Sequence, residues 1–295
     1  MVQDYIIRAM TTNKEIRALA VKSTTAVNDA QKSHQTTPVA TAALGRALTG
    51  GLLVGSLVKS GMEIGLDIVG DGPLGRIMVN ANYRGEVRGY VGNPNIELMT
   101  NQQGKLDVAR AVGNGQLTIK KDLKVKEPYQ GSVPLVSGEI GDDLTYYFTK
   151  SEQTPSAVGL GVLVDTDLSV KAAGGFLIQL LPDATEETIT QLESNLSKIN
   201  SVSALIESGL TPEEILEKLL DGFEFRVLEK ADVKFKCKCN RDRIAALALS
   251  LGEEDLKDIL EEQGKVEIRC HFCGETYKFN EDDIAEILRR AQKES

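Results

Sequence analysis

Four short runs in the first part of the chain, Glu63 to Val69, Arg76 to Ala81, Glu86 to Val91 and Gln116 to Lys121, are rich in strand-forming residues and separated by Gly, Asn and Pro. Such runs between turn residues predict a mostly antiparallel sheet. The pattern changes at Pro38, where Ala, Leu and Val dominate as far as about Lys59. Thr37 is placed to cap a long helix there, and Pro38 suits its first position. A shorter helix is expected from Thr24 to Ser33. Further along, Ile189, Leu192, Leu196, Ile199, Val202, Leu205 and Ile206 recur at intervals of three or four, which lines one helical face. Gly209 marks a stop. Thr211, Pro212 and Glu214 then make a capping box, followed by Ile215, Leu216, Leu219 and Leu220. Residues 181 to 230 are thus expected to be helical almost throughout. The remainder predicts a strand from Val233 to Cys239, helices over Arg241 to Leu251 and Glu254 to Glu262, a hairpin from Lys265 to Phe279, and a helix from Glu281 capped by Asn280. The class is α+β, a sheet domain with packed helices, a helical linker and a small C-terminal domain.

Composition adds limits. With 295 residues, 41% apolar and 26% charged, the chain reads as an ordinary soluble globular protein. The most membrane-like stretch, Ala47 to Val58, has twelve residues, and a spanning helix needs about twenty, so a core helix is expected and no membrane partner. The opening MVQDYIIRAM interrupts any signal-like apolar stretch with Asp and Arg, which predicts a cytoplasmic protein with reduced thiols.

Charge divides the chain into three parts. Residues 1–180 carry net +1 and 22 of the 27 Gly, residues 181–230 carry net −7, and residues 231–295 carry net −3 and all four Cys. The expected domains are therefore a core over 1–180, an acidic amphipathic linker over 181–230 and a Cys-bearing domain over 231–295. A linker so charged is expected to stay ordered only while its apolar face is covered.

The strongest chemical signal is Cys237-Lys238-Cys239, then Cys270-His271-Phe272-Cys273 followed by Gly274. Two close pairs on separate pieces of chain suit a tetrahedral four-thiolate zinc site. The second pair reads as a knuckle, with Gly274 in the left-handed position it needs. If the first pair lies on a strand, both sulfurs face one side. Cys237, Cys239, Cys270 and Cys273 are thus the candidate Zn2+ ligands. His271 is expected to flank the site, and His34 to be an exposed or capping residue. No hydrolytic triad and no catalytic residue set is visible.

Gly70-Asp71-Gly72-Pro73-Leu74-Gly75 matches G-x-G-x-x-G, but Pro73 and the strand-like run after it predict a hairpin turn, not a dinucleotide site. The cluster Lys120, Lys121, Lys124 and Lys126, interrupted by Asp122 and Glu127, reads as a solvated strand end and loop.

Metal in such sites contributes on the order of 10 to 16 kcal/mol, so its loss should unfold residues 231 to 295. Oxidation would cause that loss, because a sulfur in a disulfide is no longer a thiolate ligand. The two Cys pairs, together with the blocks Ala43 to Arg46, Gly70 to Gly75, Ser137 to Ile140, Ser151 to Ser156 and Gly174 to Phe176, closely resemble the bacterial redox-regulated thirty-three kilodalton heat shock protein family. The resemblance runs the full length. It implies an ATP-independent holdase, not an enzyme, that is inactive when reduced and zinc-bound. It further implies that oxidation joins Cys237 with Cys239 and Cys270 with Cys273, releases zinc and unfolds the helical linker. The activated form then dimerises and binds unfolding proteins. On an extended strand, residues two apart place their Cα atoms near the upper limit for a disulfide, so closing Cys237 to Cys239 would buckle the chain.

Two other classes compete. A zinc-ribbon nucleic-acid binder is kept alive by Lys234, Lys236, Lys238, Arg241 and Arg243, though the net charge of −9 opposes it. A thiol oxidoreductase using Cys270 and Cys273 would normally place its motif at a helix start, whereas Gly and a strand follow here.

Overall fold

The computed structural model describes residues 3–122 and 129–294, so Lys124, Lys126 and Glu127 of the basic cluster lie outside the described residues. The chain forms two compact units, Met1–Lys236 and Cys237–Ser295. The first runs β1 (Tyr5–Thr11), β2 (Ile16–Lys22), α1 (Thr24–His34), α2 (Pro38–Gly55), β3 (Glu63–Gly70), β4 (Arg76–Asn82), β5 (Glu86–Val91), α3 (Val108–Val112), β6 (Gly115–Asp122), β7 (Tyr129–Pro134), α4 (Gly141–Lys150), β8 (Ser156–Val164) and β9 (Val170–Leu180). It continues through α5 (Glu186–Leu196), α6 (Val202–Glu207), α7 (Pro212–Leu219), β10 (Phe225–Asp232) and β11 (Lys234–Phe235). The second holds α8 (Arg241–Ala248), a 3-10 turn (Leu249–Leu251), α9 (Glu253–Gln263), β12 (Val266–Arg269), β13 (Thr276–Phe279) and α10 (Glu281–Glu294).

Two sheets build the first unit, in the orders β10-β1-β2-β9-β8 and β11-β5-β4-β3-β6-β7. Their pairings are antiparallel except that of β11 with β5. The Gly70 to Gly75 block is the expected hairpin turn: the Gly70 N–H donates to Gly75 O at 3.1 Å and Val69 faces Arg76 across β3 and β4. Helix α2 is long and apolar enough to cross a membrane, yet 89% of it is buried inside the fold, which makes it the core helix. Thr37 precedes it in extended conformation without capping it. Its hydroxyl is engaged elsewhere, donating to Pro94 O and accepting from Ile96 N–H, both at 3.2 Å. His34 ends α1 half-buried, its ring edge-on to Phe235 at 6.4 Å.

Alternation along β1, β2 and β9 gives the five-stranded sheet two apolar faces. Ile6, Leu19, Val21 and Leu177 join the core around α2. Tyr5, Ile7, Ala9, Ile16, Ala18, Phe176 and Ile178 point the other way, where Leu192, Val202, Ile206, Ile215, Leu216 and Leu219 cover them. Those covering residues come from the acidic segment, and its Thr211–Glu214 capping box is present. The expectation of helix almost throughout 181–230 is corrected at its end, because residues from Phe225 form β10 and pair with β1. Glu229 holds that strand in place: it ion-pairs with Arg8 at 2.6 Å, and the Arg8 guanidinium stacks 3.7 Å above the Tyr83 ring.

Two motif blocks meet at α4. The buried Asp143 carboxylate accepts the N–H groups of Val136, Ser137, Gly138 and Ile140 at 2.7 to 3.3 Å, which folds Ser137 to Ile140 around it. Glu139 then pairs with Arg46 on α2. Gly174 of the Gly174-Gly175-Phe176 block lies under α6: a Cβ there would stand 2.2 Å from Ile206 Cδ1. Gly161 does the same on β8, where a Cβ would be 2.4 Å from the Ser203 backbone nitrogen.

Candidate metal centre

The four cysteines converge in the second unit. Strand β12 ends just before Cys270, and the Cys270 to Gly274 turn closes with Cys270 N–H donating to Glu275 O and Gly274 N–H to Cys270 O, both at 2.8 Å. Gly274 adopts φ +71°, the left-handed conformation expected of it. Cys237 and Cys239 reach the same place from a segment without regular structure. This corrects the expected strand from Val233 to Cys239, of which β11 keeps two residues, Lys234 and Phe235. Beyond Lys236 no strand among the described residues continues the ladder, and Arg243 donates to the Lys238 carbonyl at 3.0 Å between the two cysteines. Asn280 caps α10 as expected, accepting the Asp283 N–H at 2.9 Å.

All four Sγ atoms lie within 4.8 Å of one another. The shortest separations join the two segments, Cys237 to Cys270 at 3.7 Å and Cys239 to Cys273 at 3.3 Å. Tetrahedral thiolate ligands at about 2.3 Å from zinc stand roughly 3.8 Å apart, so this donor set fits a metal ion of that kind. The Tyr277 hydroxyl donates to Cys239 Sγ at 3.3 Å from the facing strand β13, an outer contact that orients one sulfur. All four thiols are half-buried. Burial pushes the Cys270 and Cys273 thiols up. At Cys237 burial acts the same way, but hydrogen bonds from the Cys239 N–H and the facing thiols outweigh it and bring the group below its ordinary value. A bound cation would favour the thiolate form of its ligands.

His271 is exposed and is not among the clustered donors. The Cys270 to Cys273 motif sits in a hairpin turn with no helix opening on it, unlike an oxidoreductase site. The basic strip of the rival nucleic-acid reading is largely ion-paired: Lys236 with Glu86 at 2.5 Å, Arg241 with Asp283 at 2.8 Å and Lys234 with Asp232 at 3.8 Å. Tyr277 carries no signal in the sequence, since nothing in the spacing of the cysteines points to it.

The family model described as Hsp33 protein matches residues 4–280. The 33 kDa chaperonin of Geobacillus kaustophilus is 51% identical over 99% of both chains, and that of Desulforamulus reducens is 48% identical, again over 99% of each. Among solved structures, the 33 kDa chaperonin (heat shock protein 33 homolog) of Thermotoga maritima superposes with a TM-score of 0.92 at 38% identity, covering 99% of both chains. The α+β fold and the four clustered cysteines near the C-terminus accord with these likenesses, and the chain belongs to the Hsp33 family of chaperones.

Proposed function

We propose that this chain is a redox-regulated, ATP-independent holdase whose reduced form is inactive. Cys237, Cys239, Cys270 and Cys273 would hold zinc, which when bound contributes much of the folding free energy of residues 237–295. The observation that carries the reading is the pairing of a four-thiol cluster with a small core. Ile244, Ala248, Leu256, Val266, Phe279 and Ile284 are the buried apolar residues grouped in the second unit, too few to hold a chain segment of that length without a staple.

The switch is covalent. A peroxide accepts two electrons from each pair of thiols, forming one S–S bond and releasing two waters, and the joined sulfurs cease to be ligands. The family pairing joins Cys237 with Cys239 and Cys270 with Cys273. The shortest reduced contacts run between the segments instead, so forming those disulfides requires the cluster to come apart. The chain leaves the second unit directly into β11 and β10, and through them into α7, α6 and α5. Loss of order at Cys237 would remove the anchor of that segment. The net −7 carried by residues 181–230 would then keep the released chain soluble. The face it covers, Tyr5, Ile7, Ile16, Phe176 and Ile178, would meet an unfolding client or a second activated copy. The setting is the cytoplasm, where the resting thiols stay reduced.

The test measures bound zinc and free thiols before and after peroxide with mild heat, and suppression of aggregation of a denatured client in each state. Full holdase activity in the reduced, zinc-retaining form would sink the switch. Unchanged hydrogen exchange over 181–230 after oxidation would sink the linker's part in it.

A further inference from the structure

The segment Ser151 to Ser156 does more than turn the chain. Glu152, Gln153, Thr154 and Pro155 form one wall of a cavity of about 540 Å³. Gln153 stands there in the left-handed region, φ +53°, a conformation uncommon for a side-chain-bearing residue and one that concentrates at functional positions. Leu180 and Leu181 at the end of β9 and Ile189 on α5 form the apolar side, and Leu57 beyond α2 closes it.

A second cavity of about 200 Å³ shares Arg17 and Leu57 with the first. Its lining includes Arg8, Met10, Leu19 and Leu228. Arg8 and Arg17 reach this point from the same face of β1 and β2, since Arg8 faces Leu19 and Met10 faces Arg17 in the register.

The charges around Arg17 nearly cancel. Arg8 is neutralised by Glu229 and Lys121 by Glu152, whereas Arg17, half-buried, has no acidic partner among the described residues. One uncompensated guanidinium matches a single negative charge, and the apolar wall of the same cavity matches a tail. We propose that the first unit binds a monocarboxylate with an apolar chain in the larger cavity, its carboxylate on Arg17 and its chain along Leu57, Leu180, Leu181 and Ile189. Because Leu180 ends β9 while Leu181 and Ile189 belong to the acidic segment, the ligand would fasten the start of that segment to the sheet.

The probe is octanoate, titrated calorimetrically into the reduced, zinc-loaded full chain at constant ionic strength, with acetate and 1-octanol as controls for charge and tail. One octanoate per chain is expected, with acetate and octanol each at least tenfold weaker. Hydrogen exchange in 181–196 should slow on binding while that in 237–295 does not change. Arg17→Gln should weaken octanoate at least tenfold. Ala184→Phe, which narrows the cavity along its apolar wall with Arg17 intact, should weaken octanoate at least tenfold and serves on its own if Arg17→Gln does not fold. Octanol binding as tightly as octanoate, several octanoates per chain, no binding, or full binding to Ala184→Phe would each overturn the site. Every arm uses the reduced form, so the outcome is independent of the redox reading.

Discussion

The two compact units solve the problem of stability in different ways. The first buries whole sheet faces: its central helix α2 is enclosed, and a second core is closed by helices α5 to α7, which lie between β9 and β10 in the chain. The second has a small group of buried apolar residues and a knot of four sulfurs. Removing one side chain from the first leaves the rest of a core, but removing the sulfur knot from the second leaves almost nothing. The second core of the first unit lies between these extremes. Its sheet half belongs to a large folded body, while its helical half is short, acidic and held by one apolar stripe. A protein that must come apart in part would divide along such lines, with a metal-dependent trigger, a conditional cover and a body that stays folded.

The largest effect that would break this contrast is metal removal. A chelator strong enough to strip zinc should leave residues 237–295 exchanging their amides freely, a loss on the order of 10 kcal/mol, while β2, β9 and α2 keep their protection. Equal loss across both units would show that the body depends on the sulfur knot as well. Next comes the cover. Leu216 is fully buried under the sheet, and Leu216→Ala should cost about 2 to 5 kcal/mol. Denaturant unfolding followed at two probes, one on α7 and one on α2, should show the α7 transition moving earlier and the α2 transition holding.

Smaller again is the effect of Gly161→Ala. The new Cβ would lie 2.4 Å from the Ser203 backbone nitrogen, so α6 must lift from β8 at a cost of about 1 to 3 kcal/mol. Faster exchange over residues 202–207 and partial holdase activity without oxidant are the expected readouts. Wild-type behaviour in both would mean that α6 is not part of the conditional cover.

How far the fold and the site are legible in the sequence depends on what each residue's signal is made of. The runs at Glu63, Arg76, Glu86 and Gln116 become β3, β4, β5 and β6 within a residue at either end, because local turn chemistry bounds them. β1, β2 and β9 give no such signal: buried on both faces, they lack the alternation that marks a half-exposed strand. Residues 225–230 fall in the segment read as helical almost throughout, but their partner β1, at the opposite end of the first unit's sequence, makes them part of a strand, and no local signal carries that. The four cysteines are legible because ligand spacing is itself local. The cavity around Arg17 is not, since Arg17 on β2, Leu57 beyond α2, Gln153 and Ile189 on α5 meet only in the folded unit.

The finest test sets the two units against each other by pH. Asp4 is 3% exposed, its carboxylate accepts the Ala26 N–H at 2.9 Å, and its second oxygen is buried without a partner. Burial is the main influence and pushes its pKa up to about 6, against the opposing hydrogen bonds at Ala26 and Thr25 and the charge of Lys22. The native state then binds a proton up to about pH 6 that the unfolded chain releases near 3.8, so between these values the native form holds more protons. Stability from this group must therefore fall as pH rises through that window, by on the order of 1 to 2 kcal/mol, and return on acidification. Asp4→Asn removes the term, so the first unit of the variant should gain on wild type steadily from pH 4 to 6 in denaturant midpoints. The second unit should respond with the opposite sign in both proteins, because acid protonates the thiolates and loosens their hold on metal. A wild-type and variant pair that tracked each other across the window would show that Asp4 stays ionised in the fold, and the contrast between a proton-favouring body and a proton-sensitive trigger would be lost.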